Sequence, residues 1–326
     1  MKSFVSILLV IVALARAAGA TFSESFSTEP TAWQIWNPGA FQWNVEAQNL
    51  SATWDSRQTN AFFYYKLPMT LTRRDDFQVE FTLRFDDLTL GIDPTKASTF
   101  PICFGLLNLR EAMRSNYFRG SGVNATTGAR SIVEFSYFPD SGFGATVGSE
   151  IVSTNNQFAY SHTFPVELAV GETYRVKMGF DSATQVLSTE ILRDGQPYGE
   201  PPNNTIRPLN YTSNFGDFAL DGFSITSYSD AGQSPPQFAG SVLAHGIVDD
   251  VVVTWPEPPI KTVQGFRKGA QWVVRFEGSE GWNYILERAT DFQNWTEVAG
   301  ATGVSELADD NPPAELAFYR VTANRP

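Results

Sequence analysis

The chain has 326 residues, 42% of them hydrophobic and 14% aromatic, with 26 Phe, a single cysteine and a net charge of −12. That acidic balance excludes nucleic acid and anionic lipid as partners, because both repel a negative surface. One cysteine excludes an internal disulfide, so stability must come from core burial or from a metal.

In chain order, residues 1–20 open with Lys2, run through an apolar stretch from Phe4 to Leu14 and end in Ala18-Gly19-Ala20. This is the pattern of a secretory signal peptide, with the mature chain starting at Thr21. The apolar stretch is shorter than the roughly 20 residues that a membrane span needs, and no later segment is long and apolar enough. The expectation is an exported protein, extracellular, periplasmic or at the cell surface, with no membrane span after signal cleavage.

A large β domain over 21–256 follows. Residues 77–85 alternate strictly, with Phe77, Val79, Phe81, Leu83 and Phe85 on one face and Gln78, Glu80, Thr82 and Arg84 on the other. Similar runs predict strands over 61–67, 100–107, 131–137, 173–180, 186–193, 218–228 and 247–255. Asp194-Gly195 predicts a tight hairpin turn, since both positions take positive φ. One short helical turn is expected over 109–116. Cys103, among Phe100, Ile102, Phe104 and Leu106, reads as a small buried hydrophobe.

The strand over 247–255 runs into Pro256-Glu257-Pro258-Pro259, a stiff linker placed at 257–262. Beyond it, residues 263–326 predict a small β domain with strands over 271–276, 282–289, 295–298 and 317–322. Its expected core is Trp272, Trp282, Trp295, Phe318 and Tyr319. The fold class is all-β, a large sandwich followed by a small one.

The chemistry-bearing residues favour binding over catalysis. Glycoside hydrolysis needs two convergent carboxylates, yet no strand carries alternating acids: Glu80 stands alone on its polar face, and Glu134 shares a face with Ser136. A pair assembled from separate strands stays open. His162 and His245 are the only histidines, and neither lies in a metal-ligand or nucleophile motif. Sugar binding instead uses flat aromatic faces beside polar side chains. Residues 33–65 are dense in both. A platform of Trp36, Trp54 and Tyr64 with Asp55 and Arg57 is the first candidate site, against the plainer reading that most of these rings fill the core. The aromatic-Pro-Asp-Ser-Gly turn around Asp140 is a second candidate rim.

The motifs Phe22-Ser-Glu-Ser-Phe26, the run from Phe135 through Pro139-Asp140 to Gly144, and Val248-Asp-Asp-Val-Val-Val253 give the first domain a resemblance to bacterial exported proteins with a concanavalin-like, laminin-G-like jelly roll. The tail, with Tyr284-Ile-Leu-Glu-Arg288 and Phe318-Tyr-Arg-Val321, is similar to the fibronectin-III/immunoglobulin-like module appended to many of them. The resemblance implies a non-catalytic module whose partner is a polysaccharide or another cell-envelope component. The alternatives are a structural or adhesive envelope protein without a small ligand, and a glycoside hydrolase or lyase. It implies no required cofactor. It does imply a structural calcium, which takes hard oxygen ligands, shared by Asp249 or Asp250 on the last strand, with Asp250 the candidate, and by Glu24 or Glu29 near the first, with Glu24 the candidate; the alternative is that Asp249 and Asp250 protect a sheet edge.

Overall fold

The structure is a computed structural model. It describes residues 20–93, 102–115, 117, 119, 129–141, 144–229, 241–256, 260–279, 282–291, 294–313 and 317–324. The chain divides into two compact units, Met1–Pro256 and Glu257–Pro326. Residues 1–19 of the expected signal segment, residues 257–259 of the expected linker and Phe100 of the expected third strand lie outside the described residues; Ala20, the last residue of the expected signal segment, pairs with Trp255.

The large unit is a jelly-roll sandwich of two antiparallel sheets, with strands numbered along the chain. The first sheet has nine strands. Its path is β13 (Gln196–Pro197), β12 (Val186–Arg193), β11 (Thr173–Asp181), β6 (Phe77–Leu90), β16 (Val242–Trp255), β4 (Asn49–Asp55) and β3 (Phe41–Asn44). Off that path, β1 (Ala20–Glu24) pairs with β16, and β14 (Asn204–Ile206) pairs with β12. The second sheet has seven strands, in the order β10 (Phe158–Thr163), β9 (Thr146–Val152), β8 (Ile132–Phe138), β7 (Ile102–Leu107), β15 (Leu220–Ser227), β5 (Ala61–Leu71) and β2 (Trp33–Trp36).

Period-two alternation explains the core. The inward set of β6 interleaves with rings from the seven-stranded sheet: Phe81 stacks on Phe104 of β7 with centroids 4.4 Å apart, and Phe85 on Tyr137 of β8 at 5.6 Å. A fully buried ring of this kind contributes about 2 kcal/mol through lost water contact alone. Trp54 belongs to this core. It lies edge-on to Phe85 and Phe104, each at 5.7 Å, and is 2% exposed. Its expected place on a surface platform is therefore corrected: on β4 it pairs with Ala244 and points inward, between the sheets.

The closing strand β16 contains a β-bulge where the register with β6 shifts between Asp249 and Val252. Asp250 takes φ +47° there. Val248 and Val251, three residues apart, both enter the core as a result. Asp194 and Gly195, at φ +52° and +74°, close the hairpin between Arg193 and Gln196 as expected.

A second layer covers the outward face of the seven-stranded sheet. The short helix α1 (Leu109–Ala112), narrower than the turn expected over 109–116, is capped by Asn108, whose side chain accepts from the Glu111 N–H. Leu109 seats directly on Gly222, where a Cβ would meet its side chain at 2.7 Å. Leu109, Ala112, Ala129 and Tyr228 bury Phe62, Tyr64, Leu107, Ile132 and Val152 beneath them.

The small unit pairs two three-stranded sheets: β17 (Ile260–Lys268), β18 (Gln271–Gly278) and β21 (Glu306–Asp309), and β20 (Thr296–Thr302), β19 (Asn283–Ala289) and β22 (Phe318–Asn324). Ile260 already starts a strand, so three residues placed in the linker belong to this unit. Its centre is Val274, Phe276, Tyr284, Leu286 and Leu307, with Trp272, Trp282 and Tyr319 packed around it. Trp295, expected in that centre, instead lies under the Arg320 guanidinium at 4.2 Å. Its ring offers a face to the cation there.

Candidate functional site

The pairing registers place side chains of the seven-stranded sheet in rows that cross the strands on its outward face. One row runs Tyr160, Glu150, Glu134, Gly105, Ser224, Tyr64 and Gln34. The next runs His162, Gly148, Ser136, Cys103, Thr226, Phe62 and Trp36. The middle of the face is thus small and polar, and both edges are aromatic.

Arg119 fills the middle. Its Nε donates to Glu134 Oε2 at 2.9 Å and its Nη2 donates to Glu150 Oε2. Tyr228 donates to Glu134 Oε1 at 2.5 Å, and Ser136 donates to Glu150 Oε1 at 3.2 Å. Side-chain exposures of Arg119, Glu134 and Glu150 do not exceed 2%. Burial pushes the Glu134 carboxyl above the usual carboxylate range, with Arg119 and Tyr228 opposing it only in part. Burial also works against the charge on Glu150, but Arg119 and His162 outweigh it and hold this carboxyl below that range. Two acids facing one another across β8 and β9 are the pair that a glycosidase requires. Here each is engaged by a buried guanidinium and closed to solvent, so the arrangement is a compensated charge cluster that offers no acid or base to a substrate.

The β10 edge is different. Phe158, Tyr160 and His162 occupy alternate positions on the outward side, with Tyr160 5.2 Å from each of its neighbours. Tyr211, which follows a single 3-10 turn at Pro208–Asn210, packs on Tyr160 at 5.6 Å and anchors itself by donating its hydroxyl to the Tyr160 carbonyl. Tyr211 remains 45% exposed. Gly148 makes this edge possible, because a Cβ there would fall 2.5 Å from His162 Cδ2 and 2.6 Å from Ser136 Oγ. The imidazole can therefore lie down on the sheet and reach Glu150 Oε1 through Nε2 at 3.3 Å.

At the opposite edge, Trp36 is 41% exposed on β2. Tyr64 of the neighbouring strand donates to Gln34 Oε1 at 2.6 Å. Trp36 and Tyr64 thus share one face, but Tyr64 is buried there under the second layer while Trp36 is exposed, and Trp54 points into the core from the other sheet. Asp55 ends β4 and is buried; it accepts from Arg57 Nε and Nη2, both at 2.8 Å, and from Gln58. Its carboxylate is occupied in closing the turn after β4. Asp140 sits in the loop after β8, and residues 142 and 143 of that rim lie outside the described residues.

Glu24 and Asp250 do come near one another: Glu24 pairs with Val251, and both acids add to the burial that raises Asp249. Glu24 Oε1 is taken up by the Phe26 N–H at 2.9 Å. Among the described residues no group of three or more His, Cys, Asp or Glu is placed to hold a metal ion.

The sequence reading passed over Arg119, Glu150, Tyr160, Tyr211 and Tyr228. Only the alternation Phe158-x-Tyr160-x-His162 carried a usable signal.

No protein-family model matches the chain. No curated protein sequence matches it either. Among solved structures, a seed lectin of Lotus tetragonolobus is 12% identical over 73% of this chain and 100% of its own, with a TM-score of 0.46. Peanut lectin, solved with a 9mer peptide, is 18% identical over 73% and 99%, at 0.40. Winged bean acidic lectin, complexed with methyl-alpha-D-galactose, is 13% identical over 71% and 98%, at 0.39.

Proposed function

We propose that the protein is an exported, non-catalytic module that binds carbohydrate at the β10 edge of the seven-stranded sheet. One observation carries the reading: the exposed ring of Tyr211, anchored on Tyr160 and continuous with Phe158 and His162, gives an aromatic surface bordered by polar groups. A pyranose packs its C–H face on such a ring while its hydroxyls meet the polar neighbours. The middle of the face is filled by Arg119 and Tyr228, which leaves the edges for a ligand. Trp36 provides a second, smaller aromatic contact at the β2 edge.

The test is retention of the protein, residues 21–326, on a panel of immobilised polysaccharides, with reducing-end release followed in the same wells. Binding that falls at least about tenfold on Tyr211→Ala, as loss of a stacking ring does, supports the reading, and a smaller loss on Trp36→Ala ranks the two edges. Binding lost on Trp36→Ala but untouched by Tyr211→Ala moves the site to β2. Sugar release overturns the non-catalytic part. Export is tested by fractionating cells and sequencing the N-terminus, with Thr21 expected first.

A further inference from the structure

We propose that His162 selects the ligand through its Nδ1, as an acceptor for one sugar hydroxyl, and that Glu150 and Arg119 are positioning residues that fix this role. The proposal rests on the carbohydrate reading of the β10 edge. It begins with the charge on Glu150. Arg119 and Ser136 both donate to this carboxylate, and Arg119 helps to keep it ionised. An ionised carboxylate only accepts hydrogen bonds. The imidazole nitrogen facing it, Nε2 at 3.3 Å, must therefore carry the proton.

At alkaline pH, where the ring is neutral, the other nitrogen is then a bare acceptor. Nε2 and Cδ2 face down over Gly148, so Nδ1 lies on the opposite side of the ring. Among the described residues no protein group bonds to it. The His162 side chain keeps 15% of its exposure and lies beside Tyr160, whose ring carries Tyr211. A sugar stacked on these tyrosines meets one protein acceptor of fixed tautomer next to its ring. Such a group separates epimers, because a sugar whose hydroxyl points elsewhere leaves the acceptor unpaired after water has been expelled.

The experiment has two arms. In the first, the 15N shifts of His162 are recorded at alkaline pH for the full protein, with Glu150→Gln as comparison. Wild type should show Nδ1 unprotonated and Nε2 protonated. Glu150→Gln, whose amide can also donate, should raise the fraction protonated at Nδ1. A wild-type ring protonated at Nδ1 overturns the proposal.

In the second arm, methyl galactoside, methyl glucoside and methyl mannoside are titrated into wild type and His162→Phe, a variant that keeps an aromatic ring in the row. The preferred epimer should move the Nδ1 shift, and His162→Phe should lower its affinity roughly tenfold, the scale of one lost hydrogen bond, while the weaker epimers change less. If the preference among the three sugars survives His162→Phe while Tyr211→Ala still abolishes binding, the His162 proposal fails and the carbohydrate reading stands. If wild type binds no sugar on any panel, the carbohydrate reading fails and takes the selection role with it.

Discussion

The two sheets present charge outward under opposite conditions. On the nine-stranded sheet, Arg175 meets Glu80 at 2.6 Å and Arg84 meets Asp86 at 2.9 Å. Each of these pairs has at least one partner 40% or more exposed. On the seven-stranded sheet, Arg119, Glu134 and Glu150 have comparable spacings with almost no exposure. Distance is thus the shared feature and water the deciding one. The exposed pairs gain little, because solvent and side-chain entropy cancel most of the attraction. The buried cluster gains little as a whole either, but removing one member strands the others in a dry site.

The largest effect follows from that contrast. Arg119→Ala leaves Glu134 and Glu150 facing each other without the buried cation between them, and should cost about 3–5 kcal/mol in denaturant titrations. Arg175→Ala on the other sheet should cost less than about 1 kcal/mol and shrink further in high salt. Replacing Arg119, Glu134 and Glu150 together with Met, Gln and Gln should recover most of the loss, since no charge is then left buried. A triple variant as unstable as Arg119→Ala would mean that the shape of Arg119 matters more than its charge.

A smaller effect separates the glycines of the two sheets. A Cβ at Gly148 has to displace both the His162 ring and Ser136, whereas at Gly179 on β11 it meets only the Phe77 carbonyl oxygen at 3.8 Å. Gly148→Ala should therefore cost about 1–3 kcal/mol, as overpacked sites do, and shift the His162 resonances. Gly179→Ala should stay within about 0.5 kcal/mol of wild type. Equal effects would show that the space above Gly148 is not what holds His162 in place.

What could be read from the sequence follows the same division. The nine-stranded sheet was legible because its strands bury one face and wet the other, so Phe77 to Phe85 and the 186–193 strand declare their period. The seven-stranded sheet is buried on both faces in its middle, and β9 is buried at every position from Thr146 to Val152. Alternation is erased there, and a Glu or Ser in such a strand reads as interruption. Along β5, Phe62 and Tyr64 alternate with Phe63 and Tyr65, and the first pair lies in the outward cluster while Phe63 enters the main core. That Trp36 remains at the surface while Trp54 does not depends on which sheet each strand joins. This is a long-range choice that local pattern does not encode. The same holds for Glu134 and Glu150, whose meeting requires the register of β8 against β9.

The smallest effect concerns pH, and it sets Asp55 at the end of β4 against Glu134. Hydrogen bonds from Arg57 hold the Asp55 carboxyl below its usual range, with burial pulling the other way. A lowered folded pKa means that its contribution to stability is fully present above the unfolded value of about 3.9 and is lost as pH falls through the folded value. Asp55→Asn should therefore lower the urea midpoint most at neutral pH, several-fold less than Arg119→Ala does, and the gap from wild type should close as pH falls below about 4. Glu134 has the opposite sign. Its folded pKa is raised, so its contribution is present below the ordinary carboxylate value and is lost as pH rises through the folded one. Glu134→Gln should accordingly change its gap from wild type in the reverse direction over the acid range. Midpoints at pH 7, 5 and 3 distinguish the two signs, and parallel trends for both variants would sink the assignment of Glu134 as the acid that burial disfavours.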